Sequence, residues 1–275
     1  MIGIFDSGVG GLTVVKEIKK LLPDAPIVYF GDTARLPYGN KSQETIQKYS
    51  AEIVDFLKNK GCKTIVIACN TASALAADWL REKYPELEIY DVVTAGAQAV
   101  VEETNPPSLK LRSHAAKASG DGARARKVGV IGTTATVSSG IYKKKISQLD
   151  PKIEVFMKAC PLFVHLVEEN WINRPETKKI ARVYLKELKL QKIDTLLLGC
   201  THYPLLEKVV SGVMGKRTRV IASGEKLAES LRGSLASTVE AKLPAGDKYY
   251  VSDLTPHFEK LAGIILGKKI KIYKI

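Results

Sequence analysis

The sequence predicts an α/β protein of two pseudo-symmetric domains, each a mainly parallel sheet flanked by helices, with its active site in the interdomain cleft. Three observations carry this prediction. Strand-like and helix-like stretches alternate, the plan of the first part starts again in the second, and each repeat ends a strand on a cysteine followed by polar residues. Such alternation builds parallel sheets covered on both faces, and open α/β sheets bind ligands beyond the carboxyl ends of their strands.

In the first repeat, Ile2 to Phe5 is an apolar run that ends at the glycine-rich Asp6-Ser7-Gly8-Val9-Gly10-Gly11. A helix is expected from about Leu12 to Leu22, because Val14, Val15, Ile18, Leu21 and Leu22 share one face and Pro23 stops it. Ile27 to Phe30 reads as a strand, Gln43 to Lys60 as a helix and Thr64 to Ala68 as a buried strand. After Cys69-Asn70-Thr71 an alanine-rich helix runs to about Lys83, and a strand follows near Glu88 to Val93.

The second repeat opens with Lys127-Val128-Gly129-Val130-Ile131-Gly132-Thr133, which parallels Met1-Ile2-Gly3-Ile4-Phe5-Asp6-Ser7. Ile153 to Met157 takes the place of Ile27 to Phe30, and Thr195-Leu196-Leu197-Leu198-Gly199-Cys200-Thr201 matches Thr64-Ile65-Val66-Ile67-Ala68-Cys69-Asn70. The spacing from Gly3 to Cys69 nearly equals that from Gly129 to Cys200. A duplicated unit puts the two cysteines at equivalent strand ends, aimed at one shared cleft. The expected division is residues 1–93 plus about 210–275 for the first domain and about 94–209 for the second, the chain after Val210 returning to the first. Asn105 to Arg126, rich in Pro, Ser, Ala, Gly and basic residues, is expected to be a flexible connection or surface insertion.

With 275 residues, 45% of them hydrophobic and 26% charged, the chain suits two ordinary domains. It should bury roughly three quarters of its unfolded surface without help from disulfides or a structural metal. No apolar run reaches the ~20 residues of a membrane span, and the N-terminus enters a strand without the regions of a signal peptide, so a soluble cytoplasmic protein is expected. The net charge is +13, much of it in Lys110, Arg112, Lys117, Arg124, Arg126 and Lys127 and in the C-terminal Lys268, Lys269, Lys271 and Lys274. Neither patch is interleaved with aromatics, and no zinc-finger, RRM or homeodomain pattern accompanies them, so nucleic acid is not expected as a main partner. The oligomeric state stays open, a homodimer included.

Of the four cysteines, Cys69 and Cys200 each follow an apolar strand and precede Asn70-Thr71 and Thr201-His202. A thiol at a strand end, ahead of a helix, receives backbone N–H groups and the positive end of the helix dipole, which stabilise thiolate. His202 stands two residues past Cys200 and can share its proton. The bland alternative is a small buried hydrophobe, which is what most free cysteines are, and it suits Cys62; Cys160, before Pro161, stands near the cleft without a twin. Asp6-Ser7-Gly8-Val9-Gly10-Gly11 lacks the spacing of a phosphate loop; its amides suit a carboxylate, with Asp6 and Ser7 as polar handles, or it is a turn in which Asp6 caps the helix. Asp32 to Gly39 is a loop whose Tyr38 hydroxyl and Gly39 amide could hold a ligand carboxylate. Zinc on Cys69, Cys200 and His202 lacks a supporting CxxC or HxxxH pair, and no G-x-S-x-G elbow supports serine hydrolysis.

Five motifs stand together in this order: Gly3-Ile4-Phe5-Asp6-Ser7-Gly8-Val9-Gly10-Gly11, Gly31-Asp32-Thr33 with Pro37-Tyr38-Gly39, Ala68-Cys69-Asn70-Thr71-Ala72, Ala159-Cys160-Pro161-Leu162-Phe163, and Gly199-Cys200-Thr201-His202-Tyr203-Pro204. From residue 2 to beyond residue 225 the chain thereby resembles the aspartate/glutamate racemase family, and within it the glutamate racemases. The resemblance implies interconversion of L- and D-glutamate, supply of D-glutamate for peptidoglycan, and no pyridoxal phosphate, metal or nucleotide. It implies that Cys69 takes the α-proton from D-glutamate and Cys200 from L-glutamate, with Asp6 assisting the first and His202 the second. It also aligns Asp6, Ser7, Pro37, Tyr38, Gly39, Asn70, Thr71, Thr201 and His202 with substrate-binding positions. Thr133 and Thr136 match threonines near the substrate carboxylates, and Glu168 an acid near the second cysteine. The chain departs from the family pattern in the longer, more basic connection at 105–126 and in Glu169-Asn170-Trp171, where a glycine is more usual.

Overall fold

A computed structural model describes residues 1–104, 126–235 and 246–275, and its two sheets are parallel throughout. The first is built from β1 (Ile2–Asp6), β2 (Ile27–Gly31), β3 (Thr64–Ile67), β4 (Glu88–Asp91), β9 (Lys248–Val251) and β10 (Ile272–Lys274), in the order β10-β9-β2-β1-β3-β4. The second is built from β5 (Arg126–Gly132), β6 (Ile153–Ala159), β7 (Thr195–Gly199) and β8 (Arg219–Ala222), in the order β6-β5-β7-β8. The run β2-β1-β3-β4 is thus repeated as β6-β5-β7-β8, and the register repeats too: Ile2 lies opposite Thr64, and Val128 opposite Thr195. The duplication read from the sequence is present in the strand pairing itself.

Helices cover both sheets. They are α1 (Leu12–Leu21), α2 (Gln43–Asn59), α3 (Asn70–Lys83), α4 (Val92–Thr104), α5 (Thr134–Ser138), α6 (Ile141–Leu149), α7 (Leu162–Glu168), α8 (Pro175–Leu190), α9 (Glu207–Met214), α10 (Gly224–Leu235) and α11 (Pro256–Leu266). α1 buries Leu12, Val14, Val15 and Ile18, with Leu21 and Leu22 partly buried beside them. α2 starts where the Ser42 side chain accepts a hydrogen bond from the Thr45 amide, with Glu44 in its first turn, both favourable at a helix N-terminus. β1, β2, β3 and β7 are buried along their whole length, as strands covered on both faces must be. Each fully buried Leu, Ile or Val there contributes about 1.5–3 kcal/mol.

The strand expected near Glu88 to Val93 ends at Asp91. The Asp91 carboxylate accepts from the Thr94 amide at 2.8 Å and the Thr94 hydroxyl at 2.7 Å, and so starts α4 at Val92. α4 joins the halves: Val92 and Ala95 pack into a core of the first sheet, while Val93, Ala97 and Val100 pack into a core of the second. A helix buried on two sides shows little amphipathic pattern, which is why its sequence does not announce it. β8 adds to the second sheet beyond the return anticipated near residue 210, and α10 then delivers Leu227, Ala228 and Leu231 to the first core. Residues 105–125, most of the basic connection, lie outside the described residues.

Candidate active site

In both sheets the chain leaves the first strand for one neighbour and comes back to the other, so the strand order switches between β1 and β3 and between β5 and β7. Loops diverge at such switch points and leave room for a ligand. The loops from the two sheets meet around one cavity lined by Ser7, Leu36, Pro37, Tyr38, Gly39, Cys69, Asn70, Thr71, Thr133, Val164, Cys200, Thr201 and His202.

Cys69 is the N-cap of α3, its Sγ accepting from the Ala72 amide at 3.5 Å. Burial pushes the thiol up to about 12, and the charges of Asp6 and Cys200 push the same way, against the Ala72 amide and the Ser7 hydroxyl. Cys69 is therefore a protonated thiol at neutral pH. Asp6, at the end of β1, is fully buried. Its Oδ2 accepts from the amides of Gly8 (3.1 Å) and Gly11 (2.9 Å), and its Oδ1 from the Thr201 hydroxyl at 3.2 Å. The Asp6 carboxylate thus closes the turn ahead of α1 and takes the Gly8 and Gly11 amides itself, and of the two expected polar handles only Ser7 lines the cavity. Burial raises the Asp6 carboxyl above its ordinary range, although His202 and the amides pull it down. Gly10 is needed for a close approach: a Cβ there would stand 2.5 Å from Thr201 Oγ1 and 2.6 Å from His202 Nδ1.

Cys200 differs from its twin. No α-helix starts directly behind it; a 3-10 turn, Tyr203–Leu206, comes first and runs on into α9, so Cys200 does not cap an α-helix as Cys69 does. Its support is a side chain instead. His202 Nδ1 lies 3.8 Å from Cys200 Sγ, and His202 Nε2 lies 2.6 Å from Glu168 Oε1 at the end of α7. Burial favours the neutral imidazole, but Cys200 and Glu168 outweigh it and hold the His202 pKa well above the ordinary value. The protonated form of His202 is thereby favoured beside the second sulfur.

The remaining walls come from both halves. Tyr38 donates to the buried Asp32 carboxylate, which also accepts from Arg35 Nε (2.7 Å) and from Ser252 Oγ (2.9 Å) just past β9. Thr71 of the first half meets Thr133 of the second at 2.9 Å, and Thr133 meets Thr136 at 3.0 Å, so three hydroxyls bridge the halves. Thr136 and Glu168 stand one layer behind the wall, behind Thr133 and His202. Leu36 and Val164 line the cavity and were not anticipated; both are apolar and carry no chemical signature in the sequence. Cys62 is buried in a core of the first sheet and Cys160 in one of the second, away from the cavity wall. Among the described residues, no group of three or more His, Cys, Asp or Glu side chains is placed to hold a metal ion.

Fold and site define a class of protein in which two alike parallel α/β halves each bring one strand-end thiol to a shared cleft. The family model described as Asp/Glu/Hydantoin racemase matches residues 11–231. A glutamate racemase of Geobacter metallireducens is 42% identical over 281 residues, covering 100% of this chain and 96% of that protein. Among solved structures, a glutamate racemase isoform of Bacillus anthracis superposes with a TM-score of 0.88 at 34% identity, covering 100% of this chain and 97% of that one. The glutamate racemase of Francisella tularensis in complex with D-glutamate gives 0.86 at 34% identity, covering 100% and 96%. The chain belongs to the Asp/Glu/hydantoin racemase family.

Proposed function

We propose that this protein interconverts L- and D-glutamate by passing the α-proton between Cys69 and Cys200, supplying D-glutamate for peptidoglycan synthesis. The observation that carries this reading is that both thiols line one cavity from equivalent strand ends of two halves. The substrate follows from the glutamate racemases to which the chain is similar over its full length, one of them solved with D-glutamate.

The α-proton of an amino acid is very weakly acidic, so one base on each face lets removal and return proceed without turning the substrate. Burial favours the thiol form of Cys69, and Cys200 has beside it His202, whose pKa is raised. That arrangement suits attack on L-glutamate by the Cys200 thiolate, with Cys69 donating on the opposite face to give D-glutamate. The reverse reaction starts with the protons exchanged, Asp6 assisting Cys69. General acid–base assistance supplies about 10²–10⁴-fold per group. The rest is assigned to hydrogen-bond donors at the α-carboxylate in a water-poor cleft, and the presence of Ser7, Asn70, Thr71 and Thr133 in the cavity wall supports that reading. Tyr38 and Gly39 close the wall beside them, and Pro37 sets their approach.

Two domains are taken to divide in α4 and again after β8. Among the described residues no helix is long and apolar enough to cross a membrane. Four buried free cysteines suit a reducing cytoplasm.

The test is racemisation in deuterated water. Wild-type protein should load deuterium at Cα of glutamate and not of aspartate. Cys69→Ala and Cys200→Ala should each lose at least about 10²–10⁴-fold in turnover with unchanged circular dichroism. Near-normal turnover in either variant would overturn the two-thiol reading.

A further inference from the structure

The wall of the cavity holds one buried side-chain nitrogen with no partner among the described residues, Asn70 Nδ2. The other end of that carboxamide is held, because Asn70 Oδ1 accepts from the Tyr142 hydroxyl at 2.6 Å. Asn70 opens α3 in the first half, whereas Tyr142 sits on α6 in the second. Tyr142 is fully buried and its ring is confined on two sides. A Cβ at Gly96 of α4 would stand 3.1 Å from the Tyr142 hydroxyl, and one at Gly199, next to Cys200, would stand 3.1 Å from Tyr142 Cε2. Burial also keeps the phenol protonated. It is a fixed donor.

A carboxamide has two faces of opposite chemistry, and only one of them suits a carboxylate. Presented with its N–H groups outward it binds the anion, and binds it more strongly as the α-proton leaves and charge moves onto the carboxylate oxygens. Presented with its oxygen outward it repels the same group. The Tyr142 hydroxyl donates to the amide oxygen, and the nitrogen at the other end of the carboxamide is left for the cavity. We infer that Tyr142 is a positioning residue for the reaction, a phenol of the second half whose hydrogen bond fixes the Asn70 amide with its N–H groups toward the substrate carboxylate. The bond is made between the halves, so the amide is oriented only when they are together over the substrate.

This inference rests on the racemase reading above, and a double-mutant cycle tests it separately. Tyr142→Phe should lower kcat/KM for both enantiomers about tenfold, with a loss in kcat as well as a rise in KM, while the protein stays folded at the assay temperature. In an Asn70→Ala background the same substitution should change kcat/KM less than twofold, because no amide remains to orient. A tenfold loss that persists in that background, or no loss in the wild-type background, overturns the inference. Should Tyr142→Phe fail to fold, Asn70→Asp replaces it. That variant keeps an acceptor for Tyr142 and sets an oxygen against the substrate, so it should raise KM more than Asn70→Ala does; an equal or smaller rise overturns the inference. If wild-type protein does not racemise glutamate, the functional reading fails; if it does and the cycle is additive, only the role of Tyr142 fails.

Discussion

Glu168 shows how a residue acts at one remove. It does not line the cavity, yet its carboxylate holds His202 2.6 Å away, and His202 faces Cys200. A folded-state pKa above the unfolded value contributes stability that is complete below the unfolded pKa and is lost as pH rises through the folded one. His202 is raised, so Glu168→Gln should lower the melting temperature most between about pH 5 and pH 6.5. The gap from wild type should close as pH rises further. Thermal melts across pH check this, and a gap that widens toward alkaline pH contradicts it. Cys69 and Cys200 were legible from the sequence because the repeat makes each the other's control. Glu168 was legible only through family resemblance, and Tyr142 not at all. Its partner lies 72 residues away in the chain, and no local pattern encodes such a pairing.

Among the elements, the loop after β1 tolerates no added volume. Gly10→Ala would drive a methyl into Thr201 and His202. Since a misplacement of about 1 Å can cost about 10²-fold, kcat/KM should fall by that order while the protein stays folded. Steady-state kinetics with a melt as control decide it. The loop after β2 depends on the other end of the chain: Ser252 donates to Asp32 at 2.9 Å and accepts from the Ala34 amide at 2.9 Å. Ser252→Ala should cost about 1–2 kcal/mol of stability and raise KM as Tyr38 loosens, whereas a denaturation midpoint and KM equal to wild type would remove that role. The alternating elements of the two repeats could be read from hydrophobic period alone. β9 and β10 could not, being four and three residues long and partly exposed. β9 is placed by pairing with the distant β2, and β10 by pairing with β9. The start of α4 escaped for a different reason, since a helix buried on two sides hides its period.

At the scale of the molecule, two sheets that share a four-strand run of the same order and register bring their loops to one cavity. α4, rooted in both cores, ties the halves together. The duplication is exact in its strands and broken in its site. Position 6 is aspartate where its counterpart, residue 132, is glycine, and the histidine beside Cys200 has no counterpart beside Cys69. That asymmetry meets a limit set outside the protein. Mirror-image amino acids have equal free energy in water, so the equilibrium ratio is one and kcat/KM must be the same in both directions. The unlike surroundings of the two sulfurs can divide that shared efficiency differently between turnover and saturation, but can never favour one hand. Glu168→Gln, although it touches only one side, must therefore lower kcat/KM equally for L- and D-glutamate. Polarimetry started from each pure enantiomer would show unequal kcat and KM, and always the same endpoint, an optically inactive solution.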